Sequence, residues 1–198
     1  MILKRVFDLL FSILGVFFLA PLLLLVAVWI KLDSRGPVFF RQERVGRHGR
    51  IFRIFKFRTM CLDAETKGRQ ITVGEDPRIT RSGRFLRHYK LDELPQLINV
   101  VLGEMSLVGP RPEVPRYVAI YPVAARELIL SVPPGITDYA SIEYRDENAI
   151  LGRATDPDRA YIEEVMPVKI GYYQRYVAER SLWVDFILIL RTLKAIIK

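Results

Sequence analysis

Residues 6–30 form a run of 25 positions that is almost wholly apolar, interrupted only by Asp8, Ser12, Gly15 and Pro21. As a straight helix it would reach about 37 Å, enough to cross the hydrocarbon of a bilayer. A cleaved signal peptide fits poorly, because the run is too long and no small-x-small site follows it. Three arrangements remain: a buried soluble helix, a spanning helix, or a helix that enters the membrane and leaves by the same face. Apolar residues on every side count against the soluble one.

Two features favour re-entry. Cations flank both ends, Lys4 and Arg5 before the run and Lys31 and Arg35 after it. The positive-inside tendency therefore gives neither end a reason to cross. Pro21 lies well inside the run, lacks an N–H, and presses its ring on the carbonyl of Phe17. A break there can turn the helix, provided the freed carbonyl finds a partner. A plain signal-anchor with a tolerated proline is the competing reading. Asp8 is positioned to pair with Lys4 or Arg5 on one helix face near the headgroups.

The charge is concentrated beside this run. Residues 31–60 carry nine cations (Lys31, Arg35, Arg41, Arg44, Arg47, Arg50, Arg53, Lys56, Arg58) against Asp33 and Glu43, which is nearly all of the net +8. Such a block calls for an anionic partner: nucleic acid, lipid headgroups or a phosphate-bearing substrate. Its position next to the apolar run makes headgroups the nearer anion and counts against nucleic acid.

The 198 residues suffice for one domain with a membrane attachment. The one cysteine, Cys61, allows neither an intrachain disulfide nor a cysteine-rich zinc site. His48 and His88 are too far apart in sequence for a helical metal pair. Gly46 and Gly49 match neither a phosphate-binding glycine loop nor a dinucleotide fingerprint.

Residues 37–60 read as a hairpin turning at 46–49, with Lys56 and Arg58 on the face opposite Phe55 and Phe57. Two cations on one strand face are either an ordinary amphipathic pattern or a phosphate contact. Residues 61–82 read as a loop. In the segment 84–103, Leu94, Leu97, Ile98, Val101 and Leu102 follow the spacing of a helix with one buried face. Asp92 suits the N-cap, Pro95 the first turn and Gly103 the stop. Asp92 and Glu93 would then sit at a helix N-terminus, which favours carboxylates and phosphates. As an isolated pair they are equally a cap and a first-turn acid. Arg111, between Pro110 and Pro112, is presented rigidly, either as a phosphate contact or as part of a structural turn. Residues 181–198 read as a helix with Leu182, Trp183, Phe186, Ile189, Leu190, Leu193 and Ile197 on one side, packed on the domain or lying in the membrane interface.

The strings DPRITRSGRFLRHYKLDELPQLINVVLGEMSLVGPRP at 76–112 and FKFRTM at 55–60 resemble the bacterial sugar transferase family, the monotopic phosphoglycosyl transferases. The resemblance continues through KRVFD at 4–8, PGIT at 134–137 and SLWVD at 181–185, so it covers essentially the whole chain. The chain looks like the small form, a catalytic core alone. The resemblance implies a Mg²⁺-dependent enzyme at the cytoplasmic face of the bacterial inner membrane. Such an enzyme moves a sugar-1-phosphate from a UDP-sugar to undecaprenyl phosphate and releases UMP. Carried over by motif, Asp92 is the nucleophile that forms a phosphosugar-aspartyl intermediate. Glu93 assists as metal partner or proton donor, so Asp92 and Glu93 are the implied metal contacts. Lys56, Arg58, Arg87 and Arg111 bind phosphate, Gln96 supports the site, Arg145 faces substrate, and Pro21 breaks the re-entrant helix.

Two departures stand out. Many relatives carry Ser before the re-entrant proline, where this chain has Ala20. After PGIT the chain continues Asp138-Tyr139-Ala140-Ser141, unlike many relatives, so the sugar is not carried over. The expected architecture is α+β and helix-dominated. Residues 1–30 form a re-entrant monotopic helix, and residues 31–198 a catalytic domain with a small β-hairpin and an interfacial amphipathic C-terminal helix. The alternative from another class is a non-catalytic membrane-anchored protein binding anions through the basic block. The joint presence of Asp92, Glu93, Gln96 and Arg111 speaks against it.

Overall fold

The computed structural model describes residues 2–62, 64, 76–144 and 147–197. Helix α1 runs Ile2–Asp33 with Pro21 inside it. Strands β1 (Phe39–Val45) and β2 (Ile51–Phe57) form an antiparallel hairpin in which Phe39 faces Phe57 and Val45 faces Ile51. Its turn falls where the glycines lie, with His48 and Gly49 both at positive φ. The expected hairpin is therefore present.

Helix α2 (Arg81–His88) begins inside the stretch read as a loop, because Thr80 caps it by accepting from the Gly83 amide at 3.0 Å. The single helix expected beyond Asp92 is instead a 3₁₀ turn, Leu91–Glu93, followed by α3 (Gln96–Leu102). The cause is local. Lys90 adopts a left-handed conformation at φ 54. Pro95 has no N–H to give the Leu91 carbonyl, which accepts from the Leu94 amide at 3.3 Å instead. Asp92 therefore does not cap α3. Gly103 does end it, at φ 88.

The face of α3 also differs from the apolar pattern. Gln96, Asn99 and Val100 are the buried positions, whereas Leu102 is 61% exposed. Asn99 explains the rotation. Its side chain accepts from the Phe55 amide at 2.8 Å and donates to the Arg53 carbonyl at 3.0 Å, completing the open edge of β2.

Next come β3 (Ser106–Val108), α4 (Pro115–Val118), α5 (Val123–Leu130) and β4 (Gly135–Thr137). β3 and β4 pair in parallel, Ser106 with Gly135 and Val108 with Thr137. A Cβ on Gly135 would lie 2.0 Å from the Gly109 nitrogen, so only glycine permits this approach. Helices α6 (Tyr139–Glu143), α7 (Glu147–Arg153) and α8 (Pro157–Ala160) follow. A π-helical turn at Tyr161–Val165 leads into α9 (Met166–Glu179), and α10 (Leu182–Ile197) ends the described chain.

The main core joins α4 through α9 around Tyr117, Tyr121, Leu151, Val165 and Tyr173. A smaller core joins Val26 and Ile30 of α1 to Phe57 and Leu86. Helix α1 is tied at both ends to this one body. Near its start, Lys4 bridges Asp8 at 2.9 Å and Asp185 at 2.7 Å. Asp8 also accepts from the Ser106 hydroxyl at 2.9 Å. Arg5 does not pair with Asp8; it donates to the terminal carbonyls of α3, Val100 at 2.6 Å and Val101 at 3.0 Å. At the far end Asp33 accepts from the Ser82 amide at 2.9 Å and its hydroxyl at 2.7 Å.

On α10 the apolar side noted in the sequence faces outward, with Trp183 68% exposed, while Asp185 and Leu188 are buried. Phe186, Leu190 and Leu193 extend the same exposed stripe. The fold is thus α+β and dominated by helices.

Candidate active site

Three elements converge on the 3₁₀ turn that carries Asp92 and Glu93. β2 brings Lys56, whose Nζ donates to Glu93 Oε1 at 2.8 Å. The loop after β3 brings Arg111, whose Nη1 donates to Glu93 Oε2 at 3.1 Å while Nη2 donates to Oε1. Glu93 is therefore clamped on both oxygens by two cations. Burial alone would raise its pKa, but Arg111 and Lys56 outweigh it and hold the carboxyl well below the usual range. Glu93 is a fixed anion, which does not suit the proton-donor role offered for it on resemblance.

Asp92 is in the opposite state. Its carboxylate has no hydrogen bond or ion pair among the described residues. Burial pushes its pKa up, with Lys56 pulling the other way. A partly desolvated carboxylate with no partner among the described residues marks a candidate functional group rather than a structural anion.

Arg87, on α2, donates through Nε to the Thr59 hydroxyl at 2.8 Å, leaving the rest of its guanidinium in the field of Asp92. Gln96 is buried behind the turn, and its amide nitrogen has no partner among the described residues. Arg111 is aimed from below as well as by its prolines: its amide donates to Asp138 Oδ2 at 3.2 Å. Asp138 also caps α6 through the Ser141 amide at 2.7 Å.

Arg58 lies apart from this cluster. It donates to the Pro37 carbonyl at 2.6 Å, the Ser34 hydroxyl at 2.8 Å and the Ser34 carbonyl at 3.0 Å. It ties the α1–β1 connection to the end of β2, and the phosphate contact expected of it is replaced by this backbone clamp. Arg145 lies outside the described residues, and Pro21 lies within the unbroken span of α1.

A second polar cluster was not read from the sequence. Glu113, two residues past Arg111, is buried and accepts from the Tyr161 hydroxyl and from Lys169 Nζ at 3.2 Å. Arg44 approaches it at 3.7 Å and donates to the Pro112 carbonyl at 3.1 Å. Burial would raise the Glu113 pKa, yet Lys169 and Arg44 lower it overall. The cluster fixes the proline-flanked loop to β1, α9 and the π-helical turn. Its one sequence signal is an acid directly after a rigid Pro-Arg-Pro.

Mg²⁺ commonly keeps several waters and takes one or two carboxylates together with phosphate oxygens. The unpartnered Asp92 carboxylate fits such a set, whereas both Glu93 oxygens are already shared with Lys56 and Arg111. Among the described residues no group of three or more metal-ligating side chains occurs.

The sequence profile described as Bacterial sugar transferase matches residues 1–198. A UDP-N-acetylgalactosamine-undecaprenyl-phosphate N-acetylgalactosaminephosphotransferase of Aeromonas hydrophila is 39% identical over 98% of this chain and 43% of its own length. An undecaprenyl-phosphate glucose phosphotransferase of Komagataeibacter xylinus is 43% identical over 96% of this chain and 35% of its own length. A UDP-glucose:undecaprenyl-phosphate glucose-1-phosphate transferase of Escherichia coli (strain K12) is 36% identical over 96% of this chain and 39% of its own. This chain thus spans well under half the length of these curated relatives. With the match running from the first residue to the last, the chain belongs to the bacterial sugar transferase family.

Proposed function

We propose that the chain transfers a sugar-1-phosphate from a UDP-sugar to undecaprenyl phosphate through a covalent intermediate on Asp92. The carrying observation is the contrast between neighbours: Glu93 clamped by Lys56 and Arg111, Asp92 free of any partner among the described residues. The Asp92 carboxylate attacks the sugar-bearing phosphorus, the bond from that phosphorus to the UMP oxygen breaks, and UMP leaves with the electron pair. An oxygen of the acceptor phosphate then attacks the same phosphorus. The bond to Asp92 breaks and the carboxylate is restored.

Arg87 and Arg111, whose charges both act on Asp92, bind the phosphoryl oxygens. Lys56, held by Glu93, keeps positive charge beside the attacking oxygen. Asp92 would hold Mg²⁺, which would supply further neutralisation of the leaving group's charge.

The acceptor's phosphate sits at headgroup depth, so the enzyme must work there. The ties from Asp8 and Asp33 to a single body support a helix that stays on one leaflet, with both of its ends at the cytoplasmic face of the inner membrane. The outward stripe of Trp183, Phe186, Leu190 and Leu193 supports an interfacial α10. The relatives' names support the donor and acceptor classes, and the sugar is left to experiment. The test is a panel of UDP-sugars with undecaprenyl phosphate, read out by UMP release. One sugar should release UMP in an acceptor-free burst and turn over only with acceptor. UMP release from none of them would overturn the reading.

A further inference from the structure

On the outer side of α2 an aromatic ladder leads from α1 toward the catalytic turn. Trp29 of α1 meets Phe85 edge-on at 5.3 Å, and Phe85 lies 4.7 Å from Tyr89. None of the three is a core residue: they are 38%, 45% and 44% exposed, while Leu86 on the inner side of α2 is fully buried. Large aromatic rings in a row on an exposed surface call for an occupant.

The ladder has a start and an end. It starts at an open cleft of about 350 Å³ lined by Trp29, Leu32, Asp33 and Arg81, at the last turns of the apolar helix. It ends at Tyr89, three residues before Asp92. Arg81 and Arg84 project from the same helix and are exposed. Apolar rungs edged with cations, running from a lipid-seeking helix to a phosphate-handling turn, match a long apolar chain with an anionic head.

We propose that Trp29, Phe85 and Tyr89 form the track for the first isoprene units of a polyprenyl phosphate whose phosphate meets Asp92. This rests on the acceptor assigned above. The track explains how a chain rooted in the bilayer reaches Asp92 without leaving apolar surface: the tail follows rings rather than water for the last steps.

The chain has two tryptophans, so Trp183→Phe leaves Trp29 as the sole indole. In that background and in detergent, titration with undecaprenyl phosphate should change Trp29 emission saturably, and inorganic phosphate should not. Phe85→Ala and Tyr89→Ala should each weaken that binding roughly three- to tenfold, with Phe85→Leu in between. Both should leave the acceptor-free UMP burst unchanged and raise the acceptor KM. Unchanged affinity in both alanine variants overturns the track. So does loss of vesicle association at constant acceptor affinity, which would make the ladder a lipid anchor. Binding that persists in a protein giving no UMP burst would sink the transferase reading and leave the track standing.

Discussion

Asp92 and Glu93, adjacent in the chain, occupy opposite electrostatic states: Glu93 is clamped by Lys56 and Arg111, which hold its pKa low, while at Asp92, which no cation among the described residues bonds, burial outweighs the pull of Lys56 and raises the pKa. The two carboxylates therefore respond differently to removal. Asp92 has a raised folded-state pKa, so its charge opposes folding as pH rises through that value. Asp92→Asn should leave stability at neutral pH unchanged or slightly higher, the more so because Asp92 caps no helix. It should lower UMP formation by at least about a thousandfold, as loss of a covalent nucleophile does. Glu93→Gln strands Lys56 and Arg111 and should lower stability by roughly 2–4 kcal/mol, near the range for breaking a buried pair. Urea unfolding of the two variants, set beside their burst amplitudes, checks both halves. An active Asp92→Asn would return Asp92 to a structural role.

The buried Glu113–Lys169 pair gives a pH prediction. The Glu113 pKa is lowered in the fold, so its contribution is present above the unfolded carboxyl value and lost as pH falls through the folded one. The Lys169 pKa is raised, burial being outweighed by Glu113 and Glu147, so its contribution is present below the unfolded lysine value and lost as pH rises through the folded one. Thermal melts should therefore show a plateau between those limits. Lys169→Met should cost roughly 3 kcal/mol on the plateau. The double variant Glu113→Gln/Lys169→Met should cost clearly less than the sum of the singles, since they share one interaction. Strict additivity would count against a coupled pair.

Gly135 and Gly171 make a matched comparison. A Cβ at Gly135 meets the Gly109 backbone at 2.0 Å, whereas one at Gly171 meets nothing within 4 Å. Gly135→Ala should separate β3 from β4 and with them Arg111 from Asp138, giving little soluble protein. Gly171→Ala, inside α9, should stabilise by about 0.5–1 kcal/mol. Equal melting temperatures for the two would remove the close-approach argument.

Much of this was legible in the sequence where a short-range rule applies. The glycines around His48 specified the hairpin, and Gly103 specified the end of α3. That Lys56 and Arg111 gather at the turn carrying Asp92 and Glu93 was accessible through motif likeness, although spacing alone offered only a cap. What escaped notice depended on long-range polar contacts. The most deeply buried side of α3 is decided by Asn99 reaching the edge of β2, so apolar periodicity marked the neighbouring half-buried side instead. Lys56 and Arg58 are two apart in sequence, yet only Lys56 reaches the site, because Arg58 lies past the end of β2 among the carbonyls of Pro37 and Ser34. Glu113 and Lys169 are 56 positions apart, and nothing local to either announces the pair.

The last prediction concerns the topology of α1. Both of its ends bond to one body, Asp8 to Ser106 and Asp33 to Ser82, so a spanning arrangement must break one set of bonds. Cys61 is exposed and already reports the side of the catalytic domain. In intact cells a membrane-impermeant thiol reagent should leave Cys61 unlabelled until the membrane is opened. Ile2→Cys in a Cys61→Ser background should behave the same way. Labelling at position 2 in intact cells would establish a span. Pro21→Leu restores the N–H that proline lacks and favours a straight apolar helix. It competes with the ties of Lys4 to Asp8 and Asp185. Pro21→Leu alone should therefore expose position 2 only partly, and adding Lys4→Met and Asp8→Asn should expose it further. Full exposure by Pro21→Leu alone would mean that the proline, not the polar ties, sets the topology.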